Sequence, residues 1–184
     1  MNRIRIAKFE KVSFNQWKED LLSGDLKDMY SRFPEIQLKK IYDAIKLPKR
    51  ATTGSAGYDF FLPLPILDIP VNSYVTIPTG IRCKIDEGWV LEIYPRSGHG
   101  FKYGVHLANS CGIIDSDYYG AKNEGHILVK LVNDSLLKKQ IELTQCDAFC
   151  QGKFAPYGIT VDDDEHEKEV RKNGFGSTDR RQTF

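Results

Sequence analysis

The chain has 184 residues, a formal net charge of +1 from 26 basic and 25 acidic side chains, and 41% hydrophobic residues. That length builds one cored domain with an appended segment but crowds two, and the scattered, nearly balanced charge leaves no footprint for long nucleic acid or a membrane surface. Cys83, Cys111, Cys146 and Cys150 match neither zinc-pair spacing nor a dense disulfide framework, and no apolar run approaches membrane-spanning length, so the chain reads as cytosolic with reduced thiols.

Residues 3–9, RIRIAKF, alternate charged and apolar side chains and predict a half-buried strand. Ser13 then suits a helix cap, with Phe14, Trp17, Leu21 and Leu22 on one stripe and Gly24 near the end. Pro34 suits a first helical position, and residues 36–46 carry Leu38, Ile41, Tyr42 and Ile45 at helical spacing until Leu47 and Pro48 stop them. Two short helices, about residues 13–46, are thus inserted after the first strand.

From Gly54 onward the texture is β-rich. SYVTIPTGIRCKI, GWVLEIYP, GHILVKLVND, QIELTQCD and AFCQGKFAPYGI are short, frequently punctuated, and recur at the interval of a sandwich or barrel. The charged run DDDEHEKEVRK follows Val161 and reads as a solvated connector to NGFGSTDRRQTF. The expected organisation is one β domain over residues 1–161 and a linker with an arm over 162–184.

Within this frame GIIDSDYYG, residues 112–120, places carboxylates where an apolar strand reaches the surface. Asp115 and Asp117 also suit an ordinary strand end, YPRSGHG (94–100) a plain hairpin connection, and SAGYDF (55–60) a tight turn. The lone Phe175 between glycines has nothing to pack on locally, so it calls for a flat apolar partner elsewhere, either a nucleobase or another subunit. His99, His106, His126 and His166 share no metal-ligand spacing and read as surface or packing residues.

Taken in order, AGYD (56–59), PRSG (95–98), GIIDSDYYG (112–120), Gln151 after DAFC, and GFGST (174–178) resemble the five motifs of the homotrimeric dUTPases, over roughly residues 48–178. The resemblance implies a mainly β, distorted jelly-roll barrel with the helical segment as an addition near the N-terminus. It implies hydrolysis of dUTP to dUMP and pyrophosphate with Mg²⁺, in sites shared among three chains and closed by the C-terminal arm. By the same resemblance Asp115 activates the attacking water, and Tyr118 lies flat under the deoxyribose and excludes a 2′-hydroxyl. Asn109 with the backbone of Gly112, Ile113 and Ile114 reads the uracil edge. Arg96, Ser97, Gly98 and Gln151 contact the phosphates, Arg171, Phe175, Gly176 and Ser177 belong to the arm, and Asp59 holds the magnesium through water.

The chain departs from that pattern in places. Ala148 stands where the fourth motif commonly carries an arginine, Arg171 lies one residue closer to Phe175 than usual, Asp179 replaces a glycine, and AKNEG (121–125) lengthens the connection after the third motif. Two other readings compete. A dCTP deaminase of the same fold needs a glutamate where the chain has Lys130, and a regulatory module would use the stripe with Phe14 and Trp17 as its docking face. Truncation after Val170 is expected to lower dUTP turnover strongly while leaving the circular dichroism spectrum and unfolding midpoint in place; normal kinetics in the truncated chain would remove the arm from the site.

Overall fold

The computed structural model describes residues 4–163 apart from residue 135. Its elements in order are β1 (Ala7–Lys11), α1 (Phe14–Ser23), α2 (Lys27–Tyr30), α3 (Glu35–Asp43), β2 (Tyr58–Phe61), β3 (Ile66–Ile69), β4 (Ser73–Pro78), β5 (Ile81–Ile85), β6 (Trp89–Pro95), α4 (Ser97–Tyr103), β7 (His106–Leu107), β8 (Gly112–Ile114), a 3-10 turn (Ser116–Gly120), β9 (Leu128–Asn133), β10 (Ile141–Thr144) and β11 (Ala148–Pro156). The strands form four antiparallel sheets, ordered β1-β5, β3-β10, β2-β11-β6-β8 and β4-β9-β7, which pack round one core without closing into a continuous barrel. The fold is mainly β and jelly-roll-like. Alternation drives it: Leu67 and Ile69 of β3, Ile81, Cys83 and Ile85 of β5, and Ile141 and Leu143 of β10 point inward while their neighbours face out. Among the described residues no helix is long and apolar enough to cross a membrane.

β1 begins later than the alternating run predicts, because its partner β5 fixes the pairing from Ala7 opposite Ile85 to Lys11 opposite Ile81. Ile4, inside the predicted strand, is 77% exposed. The helices follow expectation more closely. The Ser13 side chain accepts from the Gln16 backbone N–H at 3.1 Å, which caps α1, and Gly24 closes it. Pro34 caps α3 from outside its first turn, and α3 stops at Asp43 rather than running to residue 46. The early stop lets Ile45 pack over Gly80. That glycine has φ +74°, and an added Cβ would lie 2.4 Å from the Ile45 Cδ1, so any other residue would be strained and would have to push Ile45 aside.

The apolar stripe of the insert is core. Trp17 and Leu21 are fully buried, joined by Leu38, Ile41 and Ile45, and the Trp17 Nε1–H donates to the Pro78 carbonyl at 3.1 Å. Tyr42 packs beside Trp17 with ring centroids 5.9 Å apart and donates its hydroxyl proton to the Val12 carbonyl at 2.6 Å. This burial leaves Trp17 unavailable as a docking surface. Trp17→Ala should therefore cost about 3–5 kcal/mol of folding stability in urea unfolding; a loss near zero would mean the stripe is not part of the core.

Candidate functional site

β6 is the axis of the site, paired with β11 on one edge and β8 on the other. Leu91 and Ile93 face the core, which sends Glu92, Tyr94 and their cross-strand neighbours to the outer face. At the Pro95 end Gln151 pairs with both Tyr94 and Asp59, so three strands deliver polar side chains to one row. Arg96 follows at the start of α4, its Nε 3.6 Å from the Asp59 Oδ1. The Gln151 Nε2–H donates to the Pro95 carbonyl at 3.2 Å, and Gly57 leaves room for this side chain: a Cβ there would lie 2.8 Å from Gln151 Oε1. Ser97 and Gly98 are exposed in the first turn of α4.

Arg96 also reaches the Ala148 carbonyl with Nη1 at 3.5 Å, beside the position where a fourth-motif arginine was missed. His99 lies against the same strand. Burial and the nearby Arg96 guanidinium lower its pKa, opposed by a hydrogen bond to the Phe149 backbone and by the negative charge of Asp147, and its Nδ1 finds no partner among the described residues.

The second group of residues surrounds a cavity of about 340 Å³ between the four-stranded and three-stranded sheets. Its walls include Asn109, Gly112 and Ile114 on one side and Thr76, Leu128 and Lys130 on the other. The wall is a tight β7–β8 connection: Ser110 has φ +60° and its N–H donates to Leu107, while the Cys111 N–H donates to Asn109 at 2.6 Å. Gly112 approaches closely, since a Cβ would lie 3.2 Å from that of Ile93 and the neighbour would have to give way. Ile113 is 54% exposed on the other face and does not line the cavity.

Asp115 directly follows the cavity strand and caps the 3-10 turn, half-buried, with its carbonyl accepting from the Tyr118 N–H at 3.2 Å. Both tyrosines anchor this turn. The Tyr119 hydroxyl donates to the Glu10 Oε2 at 2.6 Å, and hydrogen bonds from Lys8 and Tyr119 hold the Glu10 carboxyl down at about 2. Tyr118 is only 2% exposed and donates its hydroxyl proton to the His126 carbonyl at 2.8 Å. The open stacking face expected of Tyr118 is thus not what the single chain offers; a phenol ring here is packed inside, because its hydroxyl has a buried acceptor.

The cavity adjoins the Arg96 row where Gly112 lies opposite Ile93, but Asp115 does not meet that row within one chain. Gly112 pairs with Ile93 and Ile114 with Leu91, so Asp115 lies level with Val90. Five residues of β6 then separate it from Pro95, about 16 Å at ~3.3 Å per residue. Arg171, Phe175, Gly176 and Ser177 lie outside the described residues. No group of three or more potential metal ligands occurs among the described residues. The reading of the motifs missed the chain Lys153–Glu92–Tyr94 on the outer face, where Glu92 accepts from Lys153 at 2.6 Å and from Tyr94 at 2.7 Å. Alternation in GWVLEIYP, with Glu92 and Tyr94 two apart, was the signal for it.

Comparison with known proteins identifies the family and the fold. A family model described as dUTPase matches residues 43–179, starting at the end of α3. A deoxyuridine 5′-triphosphate nucleotidohydrolase of Lactococcus lactis is 37% identical over 145 residues, covering 78% of this chain and 95% of that protein. One from Orientia tsutsugamushi is 34% identical over 152 residues, covering 78% and 97%. A crystal structure of dUTPase from Streptococcus mutans superposes with a TM-score of 0.58 at 29% identity, over 83% of this chain and 97% of that one. A phage phi11 dUTPase from S. aureus, solved to visualise a species-specific insert, shares the fold at TM-score 0.55 and 19% identity, over 71% and 92%.

The lowered pKa of His99 fixes a sign. Its folded state binds a proton less readily than the unfolded chain, so its contribution to stability falls as pH drops from about 6.5. His106 is shifted upward by hydrogen bonds to the Leu107 carbonyl and the Asp134 carboxylate, and contributes in the opposite direction. The stability of His99→Gln relative to the parent should therefore move in the variant's favour as pH falls from about 7.5 to about 5.5; an equal difference at both pH values in urea unfolding would remove His99 from this account.

Proposed function

The chain belongs to the dUTPase family and hydrolyses dUTP to dUMP, and on that premise we propose that the reaction runs in a site built from the Arg96 row and the Asp115 turn at opposite ends of β6, with the cavity between them. The observation that carries this reading is the cavity walled by Asn109, Gly112 and Ile114, with the Asp115 carboxylate on the residue that follows the cavity strand. In the proposed assignment the uracil enters this cavity and exchanges hydrogen bonds with Asn109 and the hairpin backbone. A base with a different donor and acceptor edge would leave those groups unpaired.

Asp115 orients one water in line with the α-phosphorus and accepts its proton as the oxygen attacks; the bond from the α-phosphorus to the bridging oxygen breaks and pyrophosphate leaves. Arg96, Ser97, Gly98 and Gln151 hold the phosphates, and the arm with Arg171, Phe175, Gly176 and Ser177 covers the nucleotide. Tyr118 is assigned to exclude the 2′-hydroxyl. Its ring reaches a ligand only through a sliver of surface, so exclusion rests on the stiffness of a packed wall and not on an open stacking platform. Asp59 fits a divalent cation held through water: its carboxylate is 18% exposed and lies on the phosphate-binding row. When bound, Mg²⁺ would neutralise charge developing on the leaving pyrophosphate.

The separation of about 16 Å along β6 supports a site shared between copies, in the homotrimer that the family resemblance implies, with the Asp115 end of one copy facing the Arg96 end of the next. One phosphate chain spans no such gap inside a single copy while its base fills the cavity. Pyrophosphate release should be specific for dUTP over UTP, dCTP and dTTP and should depend on Mg²⁺, with three copies by sedimentation. Asp115→Asn should lower turnover by about 10²–10⁴-fold while nucleotide binding persists. Turnover of dCTP, or a fully active Asp115→Asn, would overturn the assignment.

A further inference from the structure

The residues that the family match leaves out, α1 through most of α3, are tied by two polar links to the lengthened connection after Tyr119. In the first, the Ser13 backbone N–H and hydroxyl donate to the two carboxylate oxygens of Glu124 at 2.7 and 2.6 Å. In the second, the fully buried His126 donates from Nδ1 to the Asp20 Oδ2 at 2.5 Å. The tautomer is set locally. The Gly80 N–H donates to His126 Nε2 at 2.8 Å, so Nε2 carries the lone pair and the ring proton sits on Nδ1.

The same connection grips Tyr118 from the other side. The His126 carbonyl accepts from the Tyr118 hydroxyl, whose oxygen accepts in turn from the Asn123 amide at 2.8 Å. Gly125, at φ +69°, passes so close that a Cβ would lie 2.7 Å from the Tyr118 carbonyl oxygen. Tyr118 then holds the start of the turn through its N–H bond to the Asp115 carbonyl. Three hydrogen bonds, joined through the His126 and Tyr118 residues themselves, thus link α1 to the backbone of the carboxylate-bearing residue, through groups that are mostly buried.

We propose that Asp20 is a positioning residue for the hydrolytic reaction, acting through His126 and Tyr118 to fix Asp115, and that the helical insert serves as a brace for the reacting carboxylate. The proposal rests on the assignment of Asp115 as the base. A base held in line tolerates little displacement, while the strands that wall the base cavity keep their own ladder pairing and the Arg96 row lies on other elements, so loss of the brace should act on the chemical step and not on binding.

The test is steady-state kinetics on dUTP with the full chain, together with affinity for a non-hydrolysable dUTP analogue. Asp20→Ala is expected to lower kcat by about tenfold with KM and analogue affinity unchanged, and Tyr118→Phe, which keeps the ring but removes the hydroxyl, to reproduce the kcat loss. Asp20→Asn keeps an acceptor for His126 and should restore most of the rate. Leu38→Ala, which removes core packing in α3 but none of these ties, is the stability control and should lower the unfolding midpoint with kcat retained. Should Asp20→Ala behave like Leu38→Ala, or Tyr118→Phe turn over like the parent, the brace is wrong while the Asp115 assignment stands. Full activity in a parallel Asp115→Asn would bring down the assignment itself, and the brace with it.

Discussion

Hydrogen bonding on both edges of β6 is the constraint from which the arrangement of the site follows. β11 fixes one edge from Cys150 opposite Pro95 to Pro156 opposite Trp89, and β8 fixes the other opposite Leu91, Glu92 and Ile93. A slip of one residue on either edge would turn Leu91 and Ile93 outward, so the registers are locked by the core they fill. Gly152 adds a steric lock, since a Cβ there would lie 2.8 Å from Leu91 and 3.1 Å from both Ile93 and Phe60. The polar row at one end and the Asp115 turn at the other therefore sit at a set spacing on a rigid element, as a site requiring sub-ångström placement demands.

Against this frame the insert divides its tasks between apolar and polar groups. Trp17, Leu21, Leu38, Ile41 and Ile45 supply burial, which is strong but says little about orientation. Direction comes from the Trp17 Nε1–H on Pro78, Asp25 accepting from the Thr76 N–H at 2.9 Å, and Asp20 on His126. Each such polar group costs stability if left unpaired in the interior, so together they specify one seating of the helices on the barrel.

Much of the β body was legible because its strands alternate and its turns carry Gly, Pro and Asn. α1 was equally plain from the Ser13 cap and its stripe. α4 was not: Gly98 and Gly100 suppress helical propensity, and only Gly104, at φ +70° with its N–H bonded to Gly100 and His99, marks the end. β3 was hidden among Pro63, Pro65 and Pro70, and becomes a strand because β10 pairs with it from Ile69 to Ile66. At the site, motif order picked out candidate residues but not that Asp115 and Arg96 sit apart, because spacing along the chain carries no record of register. His126 read as packing and is buried, yet the partners that give it a direction, Asp20 and Gly80, lie 106 and 46 residues away in sequence.

The distance along β6 also changes what counts as an intact enzyme. If neighbouring copies supply opposite ends of each pocket, a copy spoiled near Arg96 still lends a sound Asp115, and one spoiled at Asp115 still lends a sound phosphate row. Mixed in one assembly, two inert forms would regenerate some working pockets at their junctions. Dilution would do the reverse, silencing well-folded chains simply by parting them, and catalysis would then belong to the seam between molecules.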